Sequence, residues 1–143
     1  MFESFFVSPY PVLCYNGTKH IWKGDFYRMV HHSADMPLEE RPRMRGGEGT
    51  IALQAALTPE DYAAPVRLFS RITVPVGGSI GYHIHEQEEE FYYVLSGQGE
   101  MDDNGTPVAI EAGDATVTRD HEGHGVVNTG STPLELLAVI VKL

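Results

Sequence analysis

The sequence is poor in cysteine and in long apolar runs. Cys14 is the single cysteine among 143 residues, so a fold held together by internal disulfides is excluded. No apolar run approaches the roughly 20 residues that a membrane-spanning helix needs. The apolar start, residues 1–11, lacks the basic segment and the small-residue cleavage site of a secretory signal. We therefore expect a cytoplasmic protein.

Basic residues are half as frequent as acidic ones. The sequence has 10 lysines and arginines against 20 aspartates and glutamates, and its formal net charge is −10 at pH 7. This charge opposes attraction to nucleic acid and to an anionic membrane. We therefore expect neither a nucleic acid nor a membrane as a partner.

Helical stretches are also few, and short apolar runs separated by glycine and proline take their place. Runs at this spacing are typical of a β-sandwich or a β-barrel. The one predicted helix is short, at residues 58–64, with Thr58 as its N-cap and Pro59 in its first turn. The predicted strands are Thr50–Leu57, Val66–Val74, Ser79–His85, Glu90–Ser96, Gly99–Asp103, Thr106–Glu111, Ala115–Thr118, Gly125–Asn128 and Leu134–Leu143.

The first third of the chain differs from the rest. Residues 1–49 hold several aromatic residues and prolines with weak periodicity. We interpret them as an N-terminal arm that packs on the barrel or on a partner subunit. Residues 50–143 form the predicted barrel domain.

A histidine–carboxylate cluster stands beside the most apolar strand. His83 and His85 are two residues apart in a predicted strand, so their side chains share a face. Glu90 opens the next strand, and a tight turn would bring its carboxylate to both imidazoles. Two imidazoles and a carboxylate that converge can bind a metal ion. The alternatives are a solvated hairpin tip, or Glu89 as the acid.

The spacing of this cluster resembles the first signature motif of the cupin superfamily. The matching residues are Gly77, His83, His85, Glu90 and Gly97, separated by five, one, four and six residues. The resemblance implies an all-β fold, the small double-stranded β-helix or jelly-roll barrel, here with an N-terminal arm. It also implies a metal near one end of the barrel interior.

The second cupin motif is matched in part. Gly113, His124 and Asn128 stand at the expected intervals, whereas Arg119 and His121 replace its usual proline and turn glycine. The resemblance implies that His124 is the fourth metal ligand. For His121 we favour a loop residue near the mouth over metal ligation, with a role as a base beside the ligands as a further alternative.

Three imidazoles and one carboxylate leave open positions on the ion. Such mixed ligation suits one divalent transition metal per chain, namely Mn, Fe, Ni, Co or Zn. From about Arg28 onward the chain resembles small bacterial cupins described as mannose-6-phosphate-isomerase-like or oxalate-decarboxylase-like. Cupin barrels pair through sheet edges, so the resemblance also implies a homodimer.

One departure bears on the substrate. Oxalate decarboxylases carry an arginine three residues before the first metal histidine, where this chain has Ile80. An anionic substrate would need another cation. Arg45, in a glycine-flanked loop, and Arg71 are the candidates for a catalytic role, with Arg67 and Arg119 as further possibilities. The alternative for each is a surface position.

Tyr92 shares a strand face with Glu90 and is the third candidate catalytic residue. Its hydroxyl could donate a proton, or it could be an ordinary barrel tyrosine. The sequence favours a metal-dependent enzyme for a sugar or a carboxylic acid, of isomerase, decarboxylase or lyase, or dioxygenase type. The alternatives are a binding or sensing cupin without turnover and a metal-free structural barrel.

Overall fold

β-Strands dominate the computed structural model of the protein, which describes residues 14–15, 18–19 and 29–143. The strands are β1 (Cys14–Tyr15), β2 (Thr18–Lys19), β3 (Leu38–Pro42), β4 (Thr50–Leu57), β5 (Val66–Val74), β6 (Ser79–Ile84), β7 (Glu88–Ser96), β8 (Gln98–Asp103), β9 (Thr106–Glu111), β10 (Ala115–Thr118), β11 (Gly123–Val127) and β12 (Leu134–Lys142). Short 3-10 turns occur at Ser33–Asp35 and Met44–Gly46. Nothing among the described residues is a helix of the length and apolar character needed to cross a bilayer.

Two antiparallel sheets enclose the core. One has the strand order β10-β7-β12-β5-β4-β3 and the other the order β6-β11-β8-β9, while β1 and β2 form a separate two-stranded sheet. The buried side chains between the sheets are Ile51, Leu53, Ile72, Val74, Ile80, Tyr92, Val94, Met101, Ile110, Val126, Leu134, Leu136 and Ala138. This architecture confirms the all-β fold predicted from the sequence.

The strand boundaries follow the sequence pattern closely. β4, β5, β9 and β10 have the predicted bounds, whereas β6, β7, β8, β11 and β12 differ from them by one or two residues at one or both ends. β1, β2 and β3 were not predicted as strands. Asn104 and Gly105 both have positive φ, at 50° and 90°, as the tight turn between β8 and β9 requires. Alternation in β7 buries Glu90, Tyr92 and Val94.

The predicted helix at residues 58–64 is wrong. The chain forms a turn there, in which the Asp61 carboxylate accepts hydrogen bonds from the backbone N–H and the hydroxyl of Thr58. The Asp61 N–H in turn donates to the Thr58 carbonyl. Pro65 follows at once and disfavours helical geometry in the residue before it. The capping signals were local and suited a turn equally well.

Part of the predicted arm joins the barrel. β3 lies within residues 1–49 and pairs antiparallel with β4 over its full length, from Leu38 opposite Gln54 to Pro42 opposite Thr50. Residues 1–13, 16–17 and 20–28 lie outside the described residues. The division of the chain at residue 50 therefore stays a prediction.

Candidate metal centre

Four side chains from both sheets converge at one end of the barrel interior. They are His83 on β6, His85 directly after it, Glu90 on β7 and His124 on β11. One ligand atom from each lies within 4.8 Å of all the others. The four residues singled out as a metal site in the sequence are thus brought together, and the acid among them is Glu90 rather than Glu89.

Strand pairing produces this convergence. His124 lies opposite His83 in the β6–β11 ladder. The backbone N–H of His85 donates to the Glu122 carbonyl, which continues the contact beyond the end of β6. Glu90 comes from the opposing sheet, where the alternation of β7 turns it inward.

The ligand atoms are close to one another. His124 Nε2 lies 2.9 Å and His85 Nε2 lies 3.1 Å from Glu90 Oε2, while His83 Nε2 lies 4.0 Å from it. The His124 Nε2 atom is also 3.1 Å from that of His85 and 3.3 Å from that of His83. All three rings therefore present the same nitrogen to the centre of the cluster.

The other nitrogen of each ring has its own partner. Nδ1 of His83 is 2.9 Å from the Gly81 carbonyl oxygen, and Nδ1 of His85 is 2.9 Å from Glu88 Oε1. A carbonyl or carboxylate oxygen only accepts, so both Nδ1 atoms carry the proton. When neutral, these two rings must then aim an Nε2 lone pair at the cluster. His124 Nδ1 lies 2.9 Å from the Thr118 hydroxyl, which can donate or accept.

This donor set fits a divalent transition metal. Converging imidazole lone pairs repel one another unless a cation or a proton lies between them, and a buried carboxylate needs a positive partner. The Nδ1 contacts orient the rings in the manner typical of metal-binding histidines. The centre therefore offers three nitrogens and one oxygen to a single ion.

Electrostatics within the cluster follow from burial and from these contacts. Burial alone would raise the pKa of Glu90, but the hydrogen bonds with His124 and His85 outweigh it and lower the pKa to about 2. The hydrogen bond to Glu90 raises the pKa of His85, whereas burial lowers the pKa of His83. The cluster thus keeps a carboxylate charge across the physiological range.

Tyr92 belongs to the wall of this centre. Its ring stacks on that of His124, with centroids 5.1 Å apart and planes 23° from parallel. Burial and the neighbouring Glu90 carboxylate, to which it is hydrogen-bonded, raise the pKa of the Tyr92 hydroxyl well above its ordinary value. The hydroxyl consequently stays protonated beside the ligands.

Arg45 lies in the turn between β3 and β4, near this centre. Its turn, Met44–Gly46, packs on β6 so tightly that a Cβ at Gly81 would lie 2.1 Å from the Arg45 carbonyl oxygen. The charge of Arg45 acts on Tyr92, whose pKa it lowers against the stronger effect of burial. Within residues 29–143, Arg45 has no ion-pair partner.

The structure does not bring Arg71 to the cluster. On β5 the inward positions are those of Ser70, Ile72 and Val74, so Arg71 points outward and pairs with Glu135. Because side chains alternate along a strand, Arg71 lies on the opposite face of β5 from these inward residues and away from the cluster.

Two further candidates, Arg119 and His121, lie in the loop between β10 and β11. Arg119 pairs with Glu122 on the exposed loop before β11. The His121 side chain is exposed and lies near Asp120, while its backbone N–H donates to the His85 carbonyl. Neither side chain belongs to the four-residue cluster.

Two residues that contact the cluster histidines were not predicted. Glu88 contacts His85, and its position three residues after this histidine is the signal that could have indicated it. Thr118, which contacts His124, carries no signal in the sequence because threonine is common in strands.

Comparison with known proteins decides the family. The sequence profile of the Cupin domain family matches residues 70–140, which include all four cluster residues. An oxalate-binding protein from Thermotoga maritima is 44% identical over 115 residues, which span 80% of this chain and 95% of that protein. The chain is a cupin.

Solved structures agree with this assignment. A crystal structure described as a predicted oxalate decarboxylase from Thermotoga maritima superposes on this cupin with a TM-score of 0.77. The match has 44% sequence identity and covers 80% of this chain and all of the other. The polyketide cyclase RemF from Streptomyces resistomycificus gives a TM-score of 0.67 at 21% identity, covering 80% and 79% of the two chains, and it supports the fold alone.

Proposed function

We propose that this cupin binds one divalent transition metal through His83, His85, Glu90 and His124, and that the open side of the ion binds a small organic substrate. The convergence of three Nε2 atoms on the Glu90 carboxylate supports this proposal most directly. Ligand type alone leaves Mn, Fe, Ni, Co and Zn as candidates.

A carboxylic acid is the substrate class that the surroundings favour over a sugar. The charge of Arg45 acts on Tyr92 in the wall of the centre, and a guanidinium matches the geometry of a carboxylate. The position that carries an arginine in oxalate decarboxylases is Ile80, which is buried in the core. Arg45 is therefore our candidate for the role of anchoring the anion.

The bound ion would act as a Lewis acid towards a carboxylate or carbonyl oxygen. Tyr92 supplies a protonated hydroxyl beside the ligands, which can donate a hydrogen bond or a proton to the substrate. We favour a metal-dependent enzyme of decarboxylase or lyase type, with isomerase and dioxygenase chemistry as neighbouring possibilities. Arg45 would hold the substrate and Tyr92 would serve the proton transfer.

The second candidate is a binding or sensing cupin without turnover. One observation favours it: the Thermotoga maritima relative is named for binding oxalate and not for a reaction. We further propose a cytoplasmic homodimer, since a single cysteine suits a reducing compartment and the exposed edge strands of both sheets could pair with a second copy.

The test has two stages. Protein purified without chelator should contain about one equivalent of a divalent metal, and a folded His85→Ala variant should lose it. The loaded protein is then titrated with oxalate and tested for turnover of oxalate, short keto-acids and sugar phosphates, and for oxygen uptake. Metal-free protein that also fails to load would refute the metal site, whereas binding without turnover would select the second candidate.

A further inference from the structure

The ligand His85 is the inner end of a chain of three charged or polar contacts that runs to the protein surface. Arg67 Nε donates to Glu88 Oε2 and Arg67 Nη2 donates to Glu88 Oε1, each at a distance of 2.7 Å. Glu88 Oε1 also accepts from His85 Nδ1 at a distance of 2.9 Å. One carboxylate oxygen is thus shared by the guanidinium and the imidazole.

We propose that Glu88 and Arg67 are positioning residues for the metal centre: Glu88 fixes the tautomer and the orientation of His85, and Arg67 fixes Glu88. The inference rests on the proposed function, because it assigns His85 the role of metal ligand. Neither residue contributes one of the four ligand atoms.

The strands explain how a surface arginine reaches this position. β5 and β7 lie on either side of β12, so Arg67 on β5 reaches across one strand to Glu88 at the start of β7. Along this path the side chains become progressively buried. The exposed fraction is 40% for Arg67, 16% for Glu88 and 1% for His85.

The physical role of each member follows from its donors and acceptors. A carboxylate opposite Nδ1 holds the proton there, which leaves Nε2 free to ligate and makes the ring a stronger donor to a metal. A single carboxylate could rotate about its own bonds, but a bidentate arginine holds both oxygens in one plane. The pKa of Glu88 is lowered, chiefly by the Arg67 hydrogen bonds, so the carboxylate stays an acceptor.

An exposed ion pair by itself contributes little to stability. If Arg67 positions Glu88, loss of Arg67 should weaken metal binding and leave the melting temperature of the metal-free protein nearly unchanged. If the ion pair has only a structural role, its loss should lower that melting temperature and leave metal binding unchanged.

The chain supplies a matched control on the same strand. Arg71 is also an exposed arginine of β5 and also pairs with a glutamate on a neighbouring strand, Glu135 of β12. Within residues 29–143, no hydrogen bond or ion pair joins Glu135 to a histidine. The two pairs differ in their connection to the metal centre.

The experiment measures Co²⁺ affinity by competition with a chelating dye, together with the visible absorption bands of bound Co²⁺, in five full-length proteins. The proteins are the wild type, Glu88→Ala, Arg67→Met, Glu135→Ala and Arg71→Met. Glu88→Ala should weaken Co²⁺ binding about 10–100-fold and change the absorption bands. Arg67→Met should change the Co²⁺ affinity and the absorption bands in the same direction but to a smaller extent. The two control variants should match the wild type.

Two results would overturn the proposal that Glu88 and Arg67 position His85. One is equal Co²⁺ affinity and equal spectra in Glu88→Ala and Glu135→Ala, while the wild type binds Co²⁺. The other concerns the metal-free protein, in which ring ¹⁵N chemical shifts at alkaline pH report the His85 tautomer. If Glu88→Ala keeps the Nδ1–H form as fully as the wild type does, Glu88 does not set the tautomer. If the wild type binds no Co²⁺ but the Glu88→Ala protein loses the Nδ1–H form, the metal proposal is refuted. The positioning contact between Glu88 and His85 would then still stand.

Discussion

The Nε2 atoms of His85 and His124 lie 3.1 Å apart inside the barrel. The Glu88 contact places the His85 proton on Nδ1, so Nε2 of the neutral ring carries a lone pair directed at its neighbour. In the metal-free protein, a proton on Nε2 removes the repulsion that a metal cation would otherwise remove. The pKa of His85 is accordingly raised, first of all by its hydrogen bond to Glu90.

The first prediction concerns pH. A group whose pKa is raised on folding stabilises the protein fully below its unfolded pKa, and this stabilisation is lost as pH rises through the folded value. For His85 the window opens near the ordinary 6.5 and extends above it. Metal-free protein should therefore melt at a lower temperature above this window than below it. Metal binding should strengthen over the same range, because protons and the ion compete for Nε2.

Melting temperatures of metal-free and metal-loaded protein on both sides of the window test this prediction. The net charge of −10 also makes stability pH-dependent, so His85→Gln serves as the reference, since it keeps the charge background without the imidazole. If the melting temperatures of the wild type and of His85→Gln depend on pH in the same way, the titration of His85 does not contribute to stability in this window.

The second prediction separates the two arginines of one turn. Arg43 and Arg45 both have positive φ, at 50° and 55°, but the charge of Arg45 is the one that acts on Tyr92. Hydrogen bonds to charged groups contribute about 1.5–3 kcal/mol, so Arg45→Met should weaken oxalate binding by about 10–100-fold. Arg43→Met is the matched control. Calorimetric titration of the metal-loaded proteins measures both, and equal losses would remove Arg45 from the anion site.

The third prediction tests Tyr92. Tyr92→Phe keeps the ring that stacks on His124 and removes the hydroxyl. If the hydroxyl serves a proton transfer, turnover should fall by about 10²–10⁴-fold while metal content is retained. Steady-state rates and metal analysis of the same preparation check this. Unchanged turnover would make Tyr92 a wall residue, which is the alternative that its stacking also fits.

Local pattern was enough to predict most of the barrel. Alternation with period two and turn residues such as Asn104 and Gly105 act within a few residues, and the strands that depend on them have the expected bounds. The same parity put His83 and His85 on one face, opposite the exposed Tyr82 and Ile84.

What the sequence could not reveal depends on contacts across the fold. The role of Glu88 requires Arg67 from a strand that is not its neighbour along the chain. The outward position of Arg71 depends on which face of β5 packs on the core. The turn at Thr58 is the exception, because the hydrogen bonds from Thr58 to the Asp61 carboxylate are local and would also suit a helix cap.

The last prediction concerns the contact between the Arg45 turn and β6. A Cβ at Gly81 would lie 2.1 Å from the Arg45 carbonyl oxygen, and the Gly81 carbonyl itself accepts from His83 Nδ1. Gly81→Ala should therefore lower the free energy of unfolding by about 1–3 kcal/mol, the usual cost of overpacking. It should also weaken metal binding, because the clash moves the backbone that orients His83.

Gly77→Ala is the control for this substitution. Gly77 has a positive φ of 70°, but a Cβ there has nothing within 4 Å. The control should consequently lose about 1–2 kcal/mol through backbone strain alone and keep its metal affinity. Urea unfolding and dye competition measure the two quantities separately. Wild-type metal affinity in a folded Gly81→Ala protein would mean that the turn can shift without disturbing His83, and the proposed place of Arg45 near the centre would then lose its structural basis.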